Sequence, residues 1–148
     1  MIEAFLSYLK QEKRYSPNTC IAYQKDLESF LEFIETNYQT QNIAEINHIM
    51  IRAWLANLIE KNTKTSSVNR KISTLRAFFK FMFITEVIDK NPMQKIISPK
   101  KPKQIATFLE EEKINIMLDE GEFEDGYTIS RNYLILEIFY QTGIRLSE

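Results

Sequence analysis

Little in this sequence cross-links or sharply bends a chain. Cys20 is the one cysteine, which excludes an intramolecular disulfide framework and fits a reducing cytoplasm. The three glycines are Gly121, Gly126 and Gly143, and Pro17 is the only proline before Pro92. Tight hairpins need glycine or asparagine at positive φ, so a glycine-free stretch of 120 residues predicts helices joined by polar loops. His48 has no second histidine with which to share a metal. There is no cysteine–histidine cluster, Gly-rich phosphate loop or serine elbow, so neither a metal nor a cofactor is expected. No run approaches the ~20 apolar residues that span a bilayer, and no charged-then-apolar leader is present, so no membrane partner is expected.

The chain has 148 residues, 44% of them hydrophobic and 26% charged, which supports a real core and excludes wholesale disorder. Its net charge of −1 argues at first against a polyanion partner. The distribution along the chain argues otherwise. Residues 1–60 carry 5 basic and 8 acidic side chains, and residues 104–148 carry 3 and 10. Residues 61–103 carry 11 basic and 2 acidic, a local charge of +9. Screening removes distant charges within ~8 Å at physiological salt, so a polyanion responds to that local field.

Apolar spacing divides the first part of the chain into four helices. Ile2, Phe5, Leu6 and Leu9 follow a 3.6-residue period over roughly residues 2–13. Ser16-Pro17 is an N-cap followed by a first-turn proline, opening a second helix with Cys20, Tyr23, Leu27, Phe30, Leu31, Ile34 and Tyr38 on its stripe. Asn47 caps a third, which turns Ile51, Trp54, Leu55, Leu58 and Ile59 inward. Ser66 or Ser67 opens a fourth, with a stripe of Val68, Ile72, Leu75, Phe79, Met82 and Phe83.

Asn91 to Gln104 reads as an extended linker, with Pro92, Pro99 and Pro102 among four lysines. Thr107 to Glu110 has capping-box spacing, and an acidic loop holding Gly121 and Gly126 follows. A last helix over roughly Ser130–Gln141 is expected to end at Thr142-Gly143. The fold class is all-α.

Asn69, Ser73, Arg76 and Lys80 fall together about 80° to 140° from the apolar stripe of the fourth helix, with Arg70 near its back. Asn pairs with adenine and Arg with guanine, while Lys and Ser reach phosphates. A solvated face is the plainer reading. Such faces usually mix charge signs, however, and no acid occurs between Lys61 and Glu86, which favours binding. In the run Phe78, Phe79, Phe81, Phe83, the second and fourth lie on the core stripe. Phe81 lies on the far side, as a contact for another domain or subunit.

In order along the chain, five segments resemble the tyrosine recombinase (phage integrase) family, most closely its Xer-type members. Ser16-Pro17-Asn18-Thr19 with Tyr23 and Asp26-Leu27 resembles its S-P-N-T…Y…D-L helix. Arg70 through Phe78 resembles its R-x-x-S-x-L-R-x-F helix, and Asn91-Pro92 to Pro99-Lys100 its N-P…P-K linker. Leu109 to Glu112 resembles the L-T-E-E-E that opens the catalytic domain. Arg131 to Glu148 matches R-D…L-Y-x-T-G-[LI]-R-x-S-E without a gap. Asn132 and Glu110 depart from the usual Asp and Thr.

The resemblance implies a four-helix SAM-like core-binding domain over residues 1–90, a basic interdomain linker over 91–106, and the incomplete start of a catalytic domain over 107–148. It implies double-stranded DNA at a recombination site as the partner, together with further recombinase subunits, at the nucleoid. Asn18 and Thr19 on the second helix, and Asn69, Arg70, Ser73, Arg76 and Lys80 on the fourth, would face that DNA. Lys100, Lys101 and Lys103 would meet phosphates along the linker. Arg145 matches the first catalytic arginine, with Glu148 orienting it. The remaining catalytic groups of the family, the nucleophilic tyrosine among them, lie beyond the position of Glu148. This chain is therefore expected to bind DNA without cleaving it. A regulatory DNA-binding module would use the same residues, and a helical protein–protein adaptor would turn the basic stripe to an acidic partner.

Overall fold

The computed structural model describes residues 1–100, Glu110, Lys113 and residues 127–146, of which 127–129 by backbone alone. The chain divides into two compact units, Met1–Pro102 and Lys103–Glu148. Among the described residues all regular structure is helical, as the near absence of turn-forming glycine requires.

The first unit is a four-helix bundle of α1 (Ile2–Gln11), α2 (Pro17–Tyr38), α3 (His48–Glu60) and α4 (Thr65–Ile84), with 3₁₀ turns at Ile43–Glu45 and Pro92–Lys95. Local chemistry sets most of the boundaries. The Ser16 hydroxyl accepts the Thr19 amide at 3.3 Å, and Pro17 fills the first turn, where its missing N–H leaves nothing unsatisfied. Asn47 caps α3 by accepting the Ile49 and Met50 amides. α4 differs from expectation. It starts at Thr65, and Lys64 caps it through its backbone carbonyl alone, so Ser66 and Ser67 lie inside the first turn.

α4 is the central helix. Val68, Ile72, Leu75, Phe79 and Met82 are buried along the expected stripe, and Thr74 and Phe78 are buried beside it. α2 and α3 pack on two of its sides, and α1 covers a third. Phe5 lies edge-on to Phe78 at 5.4 Å, and Tyr8 stacks on Phe81 at 4.8 Å. Phe81, expected on the far side, is thus half-buried in a contact with α1 of the same unit. Two other positions also depart from the one-stripe expectation. Phe83 is 48% exposed and Ile59 is 58% exposed, each one residue before the end of its helix. Phe30 against Trp54, at 5.0 Å, joins α2 to α3.

The segment from Asn91 does not leave the bundle at once. Asn91 caps the 3₁₀ turn by accepting the Met93 amide, and Met93 and Ile96 are buried in the same core.

Without glycine, the helix ends take left-handed backbone at ordinary residues: Arg14, Gln39, Asn62 and Glu86 have φ between 52° and 57°. A Cβ in that region costs ~1–2 kcal/mol, less for asparagine, and glycine recovers part of this against its larger unfolded-state entropy. Gln39→Gly and Glu86→Gly are each expected to stabilise the unit by ~0.5–1 kcal/mol, and Asn62→Gly by less. Thermal denaturation checks this: an unchanged or lower Tm for the first two would contradict the strain.

In the second unit α5 runs Tyr127–Thr142, three residues earlier at its start than the expected Ser130. It ends at Gly143, whose φ is +64° and whose amide donates to the Phe139 carbonyl at 2.9 Å. Leu134, Ile135 and Ile138 are exposed on it. The capping-box segment up to Leu109 and the loop with Gly121 and Gly126 lie outside the described residues.

Candidate nucleic-acid interface

The seam between α2 and α4 is polar where the stripe of α2 carries an acid. Asp26 is 2% exposed and is met entirely by α4. Both terminal nitrogens of Arg70 donate to its carboxylate, one to each oxygen, the second at 3.0 Å. The Lys71 ammonium donates at 2.9 Å and the Thr74 hydroxyl at 3.0 Å. Lys71 also sits 5.6 Å over the Trp54 ring, which ties α3 into the same cluster. Breaking one partner of such a buried pair costs ~3–5 kcal/mol, so the cluster fixes α2 against α4. Arg70 is therefore not at the back of α4; it lies at the seam, with its side chain 46% exposed.

One turn before Asp26, Tyr23 packs edge-on against Tyr15 with ring centroids 6.0 Å apart. Burial pushes its hydroxyl above the usual tyrosine range; Tyr15 and Asp26 push the same way and Arg70 opposes them. Asn18 is exposed at the start of α2, and Thr19 shares a 2.9 Å hydrogen bond with the Ser16 hydroxyl.

The polar stripe of α4 has two fates. Asn69 donates to the Pro99 carbonyl at 3.0 Å, and Arg76 donates to the Ile96 carbonyl at 2.9 Å. From α3, Arg52 donates to the Lys95 carbonyl at 3.1 Å. Together they strap residues 95–99 onto the bundle by backbone atoms, with Ile96 as the apolar anchor. The side-chain acceptor of Asn69, Oδ1, is buried without a hydrogen-bond partner among the described residues. Ser73 is exposed and donates to the Asn69 carbonyl of its own helix at 3.0 Å. Lys80 and Lys100 are exposed, with no ion pair to either among the described residues. Lys101, Lys103 and Glu148 lie outside the described residues.

Sequence periodicity misses Asp26, Lys71, Thr74 and Arg52. One signal was present: an acid between Tyr23 and Leu27 on an apolar stripe needs a buried cation to balance it.

In the second unit Arg145 is exposed just past Gly143. Among the described residues no group of His, Cys, Asp and Glu side chains could hold a metal, and no helix is long and apolar enough to cross a membrane.

Residues 2–84 match the phage integrase N-terminal SAM-like domain. Over 99% of its length the chain is 35% identical to the tyrosine recombinase XerC of Halalkalibacterium halodurans, covering 48% of that protein. It is 38% identical to the tyrosine recombinase XerC of Staphylococcus aureus over 99% of its length and 48% of the relative's. With that of Rickettsia typhi the identity is 36%, over all of the chain and 50% of the relative. The chain spans about half the length of the curated relatives it matches. With more than half of its residues inside the matched domain, the chain belongs to the phage integrase family through an N-terminal SAM-like domain.

Proposed function

We propose that this chain is the DNA-binding portion of a site-specific tyrosine recombinase acting in the cytoplasm at the nucleoid. One observation carries the reading: an acid-free stretch of α4 presents Arg70 and Lys80 on the same unit as a strap that bears Lys95 and is followed by Lys100. Lysine and arginine at phosphates supply most of the affinity of such an interface. Asn18 and Thr19 lie at the start of α2, where the positive end of the helix favours an anion. Asn69 and Arg76 act in this reading through the strap, by holding the chain that carries Lys100, and Ser73 lies between them. Lys101 and Lys103 add two further cations in the sequence after Lys100.

In the whole enzyme Arg145 would hold two non-bridging oxygens of the scissile phosphate and stabilise charge in the transition state, with Glu148 orienting it. A tyrosine hydroxyl would displace the 5′ oxygen and form a 3′-phosphotyrosyl bond. That bond conserves the phosphodiester energy for rejoining, so no metal or high-energy cofactor is called for. Further subunits would complete the strand exchange.

Anisotropy with a labelled duplex at 50 mM salt tests the binding. Saturable binding is expected, and Lys80→Ala and Lys100→Ala should each weaken it while lowering the salt slope by ~1. No binding at that salt would overturn the reading. Incubation of the 148-residue chain with duplex should leave no covalent adduct on a denaturing gel; an adduct would refute the expected lack of cleavage.

A further inference from the structure

Asp26 is a buried charge, 2% exposed, on a helix whose other buried positions, Leu27, Phe30 and Ile34, are apolar. Its three partners differ in how they face solvent. Thr74 is fully buried, and the Lys71 side chain, over the Trp54 ring, is 16% exposed, so both end at the carboxylate. The Arg70 side chain is 46% exposed. Its end-on fork uses one N–H from each terminal nitrogen, and a guanidinium carries five in a fixed plane. Three N–H groups remain, directed away from the carboxylate. A planar ion gripped at both tips cannot swing about its stem. The cluster of one acid and two cations also keeps a net positive charge, and its outermost member is Arg70.

We propose that Asp26 is a positioning residue: it locks the Arg70 guanidinium at the α2–α4 seam so that its remaining N–H groups face outward to one phosphate of duplex DNA. The inference rests on the duplex-binding reading above. It opposes the simpler role of a countercharge, and the two make opposite predictions. Removing a negative charge beneath a polyanion-binding surface tightens binding if the acid only neutralises. It loosens binding if the acid aims the arginine.

The test is duplex anisotropy across a salt series with wild type, Asp26→Asn, Arg70→Ala, Arg70→Lys, the Asp26→Asn/Arg70→Ala double variant and Ile43→Ala, with folding checked by circular dichroism. Asp26→Asn is expected to weaken binding ~10-fold or more and lower the salt slope by ~1, as Arg70→Ala does, and the double variant should lose no more than either. Arg70→Lys keeps the charge without the fork, so it should match Arg70→Ala; this arm decides the matter even if Asp26→Asn fails to fold. Ile43→Ala removes core packing in the turn after α2 and controls for lost stability, so its affinity should stay at wild type. Wild-type binding with Asp26→Asn equal or tighter overturns the inference and leaves duplex binding intact. So does Arg70→Lys at wild-type affinity, or Ile43→Ala losing as much as Asp26→Asn. Wild type failing to bind at low salt overturns the duplex reading and the inference together.

Discussion

Raising salt from 50 to 200 mM is expected to weaken the binding of this chain to duplex DNA by a few thousand-fold, within the ~10³–10⁵ range for six to ten neutralised phosphates. Residues 61–103 hold 11 cations, of which Lys71 is turned inward to Asp26 and Arg76 donates to the strap. Lys101 and Lys103 fall outside the described residues. Besides Arg76, whose guanidinium is engaged by the strap, seven are exposed: Lys61, Lys64, Arg70, Lys80, Lys90, Lys95 and Lys100. Each neutralised phosphate contributes ~0.9 to the slope of log affinity on log salt, so seven give a slope of about −6. A fourfold rise in salt then removes between three and four powers of ten. An anisotropy titration at four or more salt concentrations measures the slope directly. A slope near zero would exclude phosphate contacts as the source of affinity, and with them duplex DNA as the partner of the +9 segment.

That segment is legible from the sequence because charge is a property of composition and needs no fold to be counted. The partners of the individual side chains are not. Asn69 and Arg76 belong to one polar stripe by period, but their acceptors are the carbonyls of Pro99 and Ile96, 30 and 20 residues further on. A backbone carbonyl is present at every residue, so nothing in the local sequence marks those two. Arg70 is misplaced for a different reason. A helical wheel has one inside, and Arg70 lies opposite it, yet α2 covers that side and brings Asp26. The acid on the stripe of α2 and the arginine off the stripe of α4 are each anomalous alone. Together they identify a contact that neither helix specifies by itself.

Helix boundaries divide in the same way. Ser16-Pro17, Asn47 and Gly143 act through their own side chain or backbone freedom, and the expected ends stand at those residues. The start of α4 depends on the Lys64 carbonyl, which carries no side-chain signature, and so two serines inside the turn read as its cap. The boundary near residue 91 depends on burial. Met93 and Ile96 follow a proline among lysines, a composition typical of linkers, and only the packing of their turn on α3 and α4 makes them core.

Phe78→Ala is expected to destabilise the first unit by ~3–5 kcal/mol, whereas Phe83→Ala should change it by no more than ~0.5 kcal/mol. The wheel of α4 favours the opposite order, since it sets Phe83 on the apolar stripe. Phe78 is 0% exposed and is packed edge-on against Phe5 at 5.4 Å and Phe79 at 5.5 Å, so its removal leaves a cavity walled by rings that cannot easily close it. Phe83 is 48% exposed at the last turn of α4. Single domains are stable by only ~5–15 kcal/mol, so the first loss consumes a large share of the total and the second is close to the error of measurement. Urea denaturation at equilibrium separates them by midpoint. Equal losses would mean that α1 does not close over the side of α4 that carries Phe78 and Phe81. Phe81 would then return to the outside, where periodicity alone puts it.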